Sequence, residues 1–274
     1  MLNQIYVNQS QFTDLINAMS GGGGTVSFNA TQWNALINAI GGGGGGSQIN
    51  PYIQTDISNA LTDLPTAIAS QDLITYGYKI GDYFTGASGY KYFLADMDSF
   101  YGGYNNHAIV DTHHIVILVD TGTTVKWNTS ASTSSGYTYS NLQSFLSTTA
   151  LNNIKSDLIT LFGGSTGLEH LISNDKLFTT SESTWGWTNT YITAMTEIEI
   201  YGSDIWSLNG NQTGEANKKF EIFDIFKYTQ IISDMIWLRN INNSVNASCA
   251  GNYGVSTVAQ ASQEYDAVGY ILFH

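Results

Sequence analysis

Residues 220–274 read FEIFDIFKYTQIISDMIWLRNINNSVNASCAGNYGVSTVAQASQEYDAVGYILFH and decide how the fold is interpreted. The apolar segment Ile236 to Leu238 and the adjoining Arg239 precede a run of small polar residues, and the segment Val268 to Phe273 closes the chain. A long polar loop is kept inside a domain when packed elements hold both of its ends and the loop has a use. We therefore expect a final strand and a presented loop before it.

The candidate ligand-binding residues are the polar side chains of this run. Asn, Ser, Gly and Tyr are common in adaptable binding loops, where Tyr supplies rigid contact area and the others supply hydrogen bonds. We expect these side chains to be exchangeable without disturbing a core; the alternative is a solvated loop that only closes the fold. The candidates are Asn240, Asn242, Asn243, Asn246, Ser248, Asn252, Tyr253, Ser256 and Tyr265.

An ordered set of segments resembles an uncharacterised family of C-type-lectin-like domains common in virion proteins of phages of gut bacteria. The resemblance covers roughly residues 76–274 and ends with WLRN and YGVSTVAQASQEYDAVGYILF, although Gly269-Tyr270-Ile271 stands where the family usually has an Arg-Pro pair. The upstream blocks are IGDYF at Ile80–Phe84, YKYFLADMDS at Tyr90–Ser99, GYTYSNLQSFLSTTAL at Gly136–Leu151, MTEIEIYGSDIW at Met195–Trp206 and KKFEIFDIF at Lys219–Phe226.

The resemblance implies an α+β, C-type-lectin-like domain that recognises a host-surface glycan or protein. The protein would then be a phage virion structural protein, as a capsid decoration, head fiber or tail appendage, and its C-terminal stretch would be a diversified face. Because W-L-R precedes the variable stretch in the family, Arg239 is expected to anchor the loop on backbone carbonyls rather than to contact ligand. The alternatives are a purely architectural decoration protein without a ligand and a glycan-processing enzyme.

Composition excludes some partners. The formal net charge is -13, from 22 acidic and 9 basic residues, and such a field repels nucleic acid and anionic membranes. Cys249 is the only cysteine, so neither an intrachain disulfide nor a thiolate metal cluster is expected, and we place Cys249 in a semi-buried position. We expect no secretory signal and no membrane anchor, which fits assembly in the host cytoplasm and release in the virion by lysis.

An internal repeat opens the chain. SQFTDLINAM at Ser10–Met19 and TQWNALINAI at Thr31–Ile40 align without gaps, and each is followed by a glycine tract. The apolar spacing predicts two short amphipathic helices on flexible tethers within residues 1–46. Helices this short need a partner surface, which would be other virion proteins, the C-terminal domain, each other, or symmetry mates in a homotrimer. The docking candidates are Phe12, Leu15, Ile16, Met19, Trp33, Leu36, Ile37 and Ile40.

The remaining pattern predicts helices and strands in residues 47–274. In the segment 47–75, a helix is expected to begin near Pro51 and stop at Pro65, as a linker or stalk or packed on the following domain. For the domain 76–274 we expect two helices within Asn141–Phe162, broken near Thr148-Thr149, and turns at Gly102-Gly103 and Gly122. The expected strands are Tyr76–Phe84, Tyr90–Asp96, His107–Asp111 and Ile115–Val119.

The titratable clusters give weak indications of chemistry. His107, Asp111, His113 and His114 are zinc or iron ligand types, and Asp96 with Asp98 could bind calcium, but turn hydrogen bonds explain such residues more simply. Glu197 with Glu199, or Glu182 with Asp175, would be the carboxylate pair of a glycosidase, yet Glu197-Ile198-Glu199 has the alternation of a half-buried strand. We therefore predict no catalytic residue, no metal and no cofactor.

Overall fold

A computed structural model describes residues 53–102, 110–181, 184–206, 219–232, 234–251 and 254–274. The predicted repeat helices and all of their docking residues lie outside these ranges, as do His107, Glu182, Asn252 and Tyr253. Within the described residues the fold is α+β, as predicted: short helices pack with a mixed sheet.

The described residues contain a nine-stranded sheet and a separate two-stranded hairpin. The main path of the sheet runs β1-β2-β3-β11-β8-β9-β10, with β4 and β7 also paired to β11. The strands are β1 (Tyr83–Thr85), β2 (Lys91–Met97), β3 (Ile115–Lys126), β4 (Leu171–Ile172), β5 (Asn174–Ser181), β6 (Thr184–Thr190), β7 (Ile192–Ala194), β8 (Ile236–Ile241), β9 (Asn246–Ala250), β10 (Ser256–Gln260) and β11 (Glu264–Phe273). Strands β5 and β6 form the hairpin.

The C-terminal strand β11 organises the sheet. Its pairing with β3 extends from Glu264 to Phe273, while β8, β7 and β4 pair with β11 at successive positions along it. Residues 267–273 are buried without interruption, which explains the continuous β-branched and aromatic pattern. The prediction of a closing strand is therefore confirmed, and β2 and β3 confirm two of the other predicted strands.

The helices are short apart from one long segment. They are α1 (Leu64–Ala69), α2 (Asn141–Phe145), α3 (Leu151–Phe162), α4 (Thr166–Glu169), α5 (Glu197–Tyr201), α6 (Ile222–Ile225) and α7 (Tyr228–Ile231). A π-helical turn, Leu146–Ala150, joins α2 to α3. The predicted irregularity at Thr148-Thr149 is thus real, but the helical backbone continues through it.

Pro65 begins a helix instead of ending one. It occupies the first turn of α1, where its missing N–H costs no helical hydrogen bond, so the predicted helix from Pro51 to Pro65 is wrong for the described residues from 53 onward. Leu61, Leu64 and Ile68 are buried in the same apolar core as β2 and β3. These contacts agree with the interpretation in which segment 53–75 packs on the domain.

Two other expectations were wrong in detail. Most of Tyr76–Phe84 forms turns, and only its end belongs to β1. Gly122 lies inside β3, not at a chain reversal, where its φ of 57° accompanies a bulge opposite Ala267. The hydroxyl of Thr121 donates to the Ala267 carbonyl at 2.8 Å there, so a side-chain hydrogen bond replaces a missing ladder bond.

Candidate ligand-binding site

The predicted polar loop is a set of paired strands. β8, β9 and β10 form successive antiparallel pairs, and Asn240 and Ser248 lie buried within them. Asn240 is only 2% exposed, and its Oδ1 accepts a hydrogen bond from the Glu197 backbone N–H at 3.0 Å. The expectation that these two side chains are exchangeable surface groups is therefore wrong, because each is enclosed by the fold.

The turn between β8 and β9 uses its asparagines internally. Asn243 Oδ1 accepts hydrogen bonds from the backbone N–H groups of Val245 and Asn246, at 3.0 and 2.9 Å. Asn242 Nδ2 donates to the Trp206 carbonyl at 2.7 Å. Exchanging Asn243 would leave two donors of the turn without their acceptor, so this position is less tolerant than predicted.

The other described candidates are partly buried. Ser256 lies in β10, and Tyr265 in β11 packs its ring against Trp237 with 4.7 Å between centroids. Both rings of this aromatic pair belong to the packed sheet.

Arg239 lies in a buried polar cluster, defined here by Tyr137, Thr193, Glu199, Arg239 and Tyr270. Arg239 Nη2 lies 3.5 Å from Glu199 Oε1, and Nη1 lies 3.5 Å from Thr193 Oγ1. The Tyr270 hydroxyl donates to Glu199 Oε1 at 2.9 Å. Burial raises the pKa of Tyr137 to about 12, so this hydroxyl stays protonated. Arg239 therefore anchors the fold, as expected, here through side-chain partners.

Helix α5 is held by a capping box rather than extended as a strand. Thr196 Oγ1 accepts from the Glu199 N–H at 3.2 Å, while Glu199 Oε2 accepts from the Thr196 N–H at 2.8 Å. Glu197 is also fully buried, and its carboxylate accepts from the backbone N–H groups of Ile205 and Trp206. The predicted half-buried strand is wrong, and this carboxylate pair does not face a cleft.

An open pocket of about 500 Å³ lies beside the C-terminal end of α5. Its walls come from the end of α5, from the segment carrying α6 and α7, and from the turn after β9. The lining residues are Ile200, Tyr201, Lys219, Phe223, Lys227, Tyr228, Thr229 and Gly254. Pockets of this size are typical of small-molecule binding sites.

Two aromatic rings that line the pocket are nearly buried. Phe223 is 7% and Tyr228 8% exposed, and their rings stack at a centroid distance of 6.2 Å. The Tyr228 hydroxyl bonds inward to the Ala250 carbonyl at 3.3 Å. Gly254 has φ of 70°, and a Cβ there would lie 2.8 Å from Tyr228 Cβ, so glycine permits this approach.

Burial keeps the hydroxyl and thiol groups around these rings protonated. Burial raises the pKa values of the Tyr201 and Tyr228 hydroxyls, and it raises the pKa of the Cys249 thiol to about 12. Cys249 is fully buried, more so than expected. Lys219 Nζ forms a 2.9 Å ion pair with Asp224, while Lys227 is exposed.

The metal candidates take protein hydrogen bonds. Asp98 accepts from His113 Nδ1 and from the His114 backbone N–H, both at 2.9 Å, and Asp96 accepts from the Glu221 N–H at 3.2 Å. His114 Nδ1 lies 3.0 Å from the Thr112 carbonyl and Nε2 accepts from the Phe100 N–H, while burial lowers the His114 pKa. In the described ranges, no group of three or more His, Cys, Asp or Glu side chains is placed to hold a metal ion.

The pocket residues were missed by sequence reasoning. A usable signal was present: Lys219 and Lys227 flank the aromatic FEIFDIF segment in a chain with 9 basic residues in total.

No family model, curated protein or solved structure matches the chain. Among the residues with described coordinates, no helix is long and apolar enough to cross a membrane.

Proposed function

We propose that this chain is a phage virion structural protein whose domain recognises a host-surface glycan through the open pocket beside α5. The observation that carries the proposal is the pairing of nearly buried aromatic rings with charged and hydroxyl groups in one concave site. Apolar surface with a few convergent polar groups is the usual composition of a ligand site. A sugar has the complementary character, because its C–H face packs on aromatic rings while its hydroxyl groups form hydrogen bonds.

The finer fold assignment, a C-type-lectin-like domain, belongs to the same proposal. It is supported by the central position of the closing strand β11 and by the paired strand that carries Trp237-Leu238-Arg239. The buried polar cluster joins β7, β8, β11 and α5, so it fixes the framework on which Tyr201 reaches the pocket. A rigid framework with a site at its margin suits recognition without a conformational change.

The proposed place in the virion rests on the N-terminal repeat. Duplicated apolar stripes on glycine tethers suit attachment to repeated sites by avidity, and they also suit burial against symmetry mates in a trimer. Trp33→Asp should strongly reduce incorporation into particles without changing the thermal stability of the domain. Normal incorporation of this variant, measured by quantitative blotting of purified virions, would argue against N-terminal docking.

An architectural decoration protein is the second candidate function, and one observation favours it. Asn240 and Ser248 are buried, and Asn242 and Asn243 stabilise a turn, so much of the polar stretch serves the fold itself. The glycan-processing alternative gains no support from Glu197 and Glu199, which use their carboxylates inside the fold. Its other carboxylate pair, Glu182 with Asp175, includes a residue outside the described ranges. The glycan-recognition and architectural candidates differ in whether the pocket binds a ligand.

A glycan array probed with the full-length chain tests the proposal. Thr229→Trp places a large ring at the exposed edge of the pocket, and Thr160→Trp places the same ring on the exposed face of α3 as a matched control. We expect the wild type and Thr160→Trp to retain the same glycans, and Thr229→Trp to lose them by at least about tenfold. Absence of retained glycans, or retention unaffected by Thr229→Trp, would support the architectural candidate.

A further inference from the structure

We propose that the pocket beside α5 is specific for a sugar that carries an acidic group, with Lys219 and Lys227 contacting the acid and the aromatic rings contacting the sugar. The proposal rests on the function proposed above and names the chemical class of its ligand. The acidic group is a carboxylate, sulfate or phosphate, since each of these accepts charge-assisted hydrogen bonds from ammonium groups.

The distribution of charge along the chain favours an acidic ligand for this pocket. The chain holds 9 basic residues against 22 acidic ones, yet two lysines line this one pocket and its described lining contains no carboxylate. A net charge of -13 disfavours the approach of any anion. A neutral ligand would gain no affinity from two lysines placed at its binding site. Local cations are needed when the ligand itself is acidic.

The state of each lysine also favours an acidic ligand. Lys219 is held by Asp224 at 2.9 Å, but the Asp224 side chain is 65% exposed and is not among the lining residues of the pocket. Among the described residues, no carboxylate forms an ion pair with Lys227. A partly exposed ion pair of this kind is weak, and its carboxylate can be exchanged for a better acceptor. Both ammonium groups are therefore available to an incoming acid.

The aromatic residues of the pocket favour an acidic sugar over a bare anion as the ligand. Phe223 and Tyr228 offer only narrow apolar patches, and the Tyr228 hydroxyl is turned toward the Ala250 carbonyl. Such apolar surface can contact the C–H groups of a sugar, and the exposed Thr229 adds a hydroxyl to the lining of the pocket. A nucleic acid is disfavoured, because a polyanion extends beyond the pocket into the acidic field of the chain.

The test compares two glycosides that differ at one position. Methyl glucuronide has a carboxylate where methyl glucoside has a hydroxymethyl group, and each is titrated into the full-length protein at millimolar concentrations by ligand-observed NMR. We expect the glucuronide to bind at least about tenfold more tightly. Lys219→Gln and Lys227→Gln should each weaken its binding about fivefold to tenfold, while Lys126→Gln, outside the pocket, should leave it unchanged.

Asp224→Asn should strengthen glucuronide binding, whereas the two lysine substitutions should weaken it. It removes the competing carboxylate from Lys219, so glucuronide binding should strengthen about twofold or more, a result that general damage to the site would not produce. Raising the salt concentration should weaken binding of the glucuronide and not of the glucoside. Glucose 6-sulfate and glucose 6-phosphate, titrated in the same way, identify which acid the lysines prefer.

The outcomes separate this inference from the proposed function. Equal affinity for the two glycosides, with no effect of the lysine substitutions, would overturn the acidic specificity and leave glycan recognition by the pocket standing. If no acidic sugar binds, while neutral glycans bind and Thr229→Trp weakens that binding, the acidic specificity is likewise overturned and glycan recognition by the pocket stands. Failure of all glycans on the array and in solution would overturn both proposals.

Discussion

The buried polar cluster and the open pocket place similar residues in different surroundings. In the cluster, Arg239 and Glu199 are almost completely buried and lie 3.5 Å apart, and Tyr270 also donates to Glu199. In the pocket, Lys219 and Lys227 lie at the surface beside rings that are nearly covered. Helix α5 joins the two regions, because Glu199 belongs to the cluster and Tyr201 to the pocket. Burial, and not residue type, decides whether a polar side chain holds the fold or remains accessible to a ligand.

The largest expected difference is in stability, between a substitution of Arg239 in the cluster and one of Lys219 in the pocket. Arg239→Met leaves the Glu199 carboxylate buried without its cation and should lower the free energy of unfolding by about 3–5 kcal/mol. Lys219→Met breaks a partly exposed pair and should cost no more than about 1 kcal/mol. Urea unfolding of both variants measures the contrast, and similar losses would break the distinction between the regions.

A double substitution controls for shape. Arg239→Met combined with Glu199→Gln removes the buried charge and the cation together, so it should recover at least about 1 kcal/mol relative to Arg239→Met alone. Additive losses would mean that packing of the long side chains, and not charge pairing, stabilises the cluster.

Gly254 tests how closely the pocket wall is packed. Alanine there should cost about 1–2 kcal/mol for its positive φ, and about a further 1–3 kcal/mol because its Cβ meets Tyr228. Gly89→Ala is the matched control, since Gly89 has φ of 85° with nothing within 4 Å of the added carbon. Thermal unfolding should rank Gly254→Ala well below Gly89→Ala; equal melting temperatures would indicate a looser wall.

The β8–β9 turn tests the corrected role of its asparagines. Asn243→Ala removes the acceptor of two backbone N–H groups and should cost about 1 kcal/mol. Asn246→Ala, in the same turn, should cost about 0.5 kcal/mol or less, because it is half-buried and its amide is not used in this way. A larger loss of stability in urea unfolding for Asn246→Ala than for Asn243→Ala would indicate that Asn243 is an exchangeable residue, as the sequence predicted.

Cys249 should give the smallest effect. Burial holds its thiol pKa at about 12, so the thiol remains protonated at pH 8 and is also covered by the sheet. Iodoacetamide should alkylate the native protein at least about a hundredfold more slowly than the urea-unfolded chain. Rapid native alkylation, measured by intact mass, would show that the packing beneath the pocket opens readily.

The strands at the centre of the fold were predictable because their apolar patterns are long. The β-branched and aromatic segments of β2, β3 and β11 indicate buried strands without any knowledge of their partners. Register and edge pairing were not predictable, since they depend on which distant segment reaches each strand. Gly122, for example, indicates a turn in sequence but belongs to a bulge whose partner is Ala267.

The helices show how two local signals can conflict. Glu197-Ile198-Glu199 alternates like a strand, but Thr196 and Glu199 have the spacing of a capping box, and the cap decides the outcome. Pro65 likewise suits the first turn of a helix at least as well as its end. Weighing caps above short alternations would have given both helices from sequence alone.

The candidate site was the least predictable part. A run of Asn, Ser and Gly residues indicates a loop, yet Asn240 and Ser248 lie in strands because their neighbours Trp237, Leu238 and Cys249 are apolar. The pocket is formed by segments from residues 200, 219–229 and 254, which no local pattern connects. Only the unusual concentration of lysine and aromatic residues in 219–228 pointed toward it.

Hydrogen exchange with bound sugar tests the central claim most directly. The full-length protein is labelled with and without the glycan that the array retains, and protection is read for peptides covering 197–206, 219–232 and 240–248. We predict protection in peptides 197–206 and 219–232, with no change in peptide 240–248, and loss of that protection in Thr229→Trp. Protection confined to 240–248, or protection that persists in Thr229→Trp, would contradict the assignment of ligand binding to the pocket.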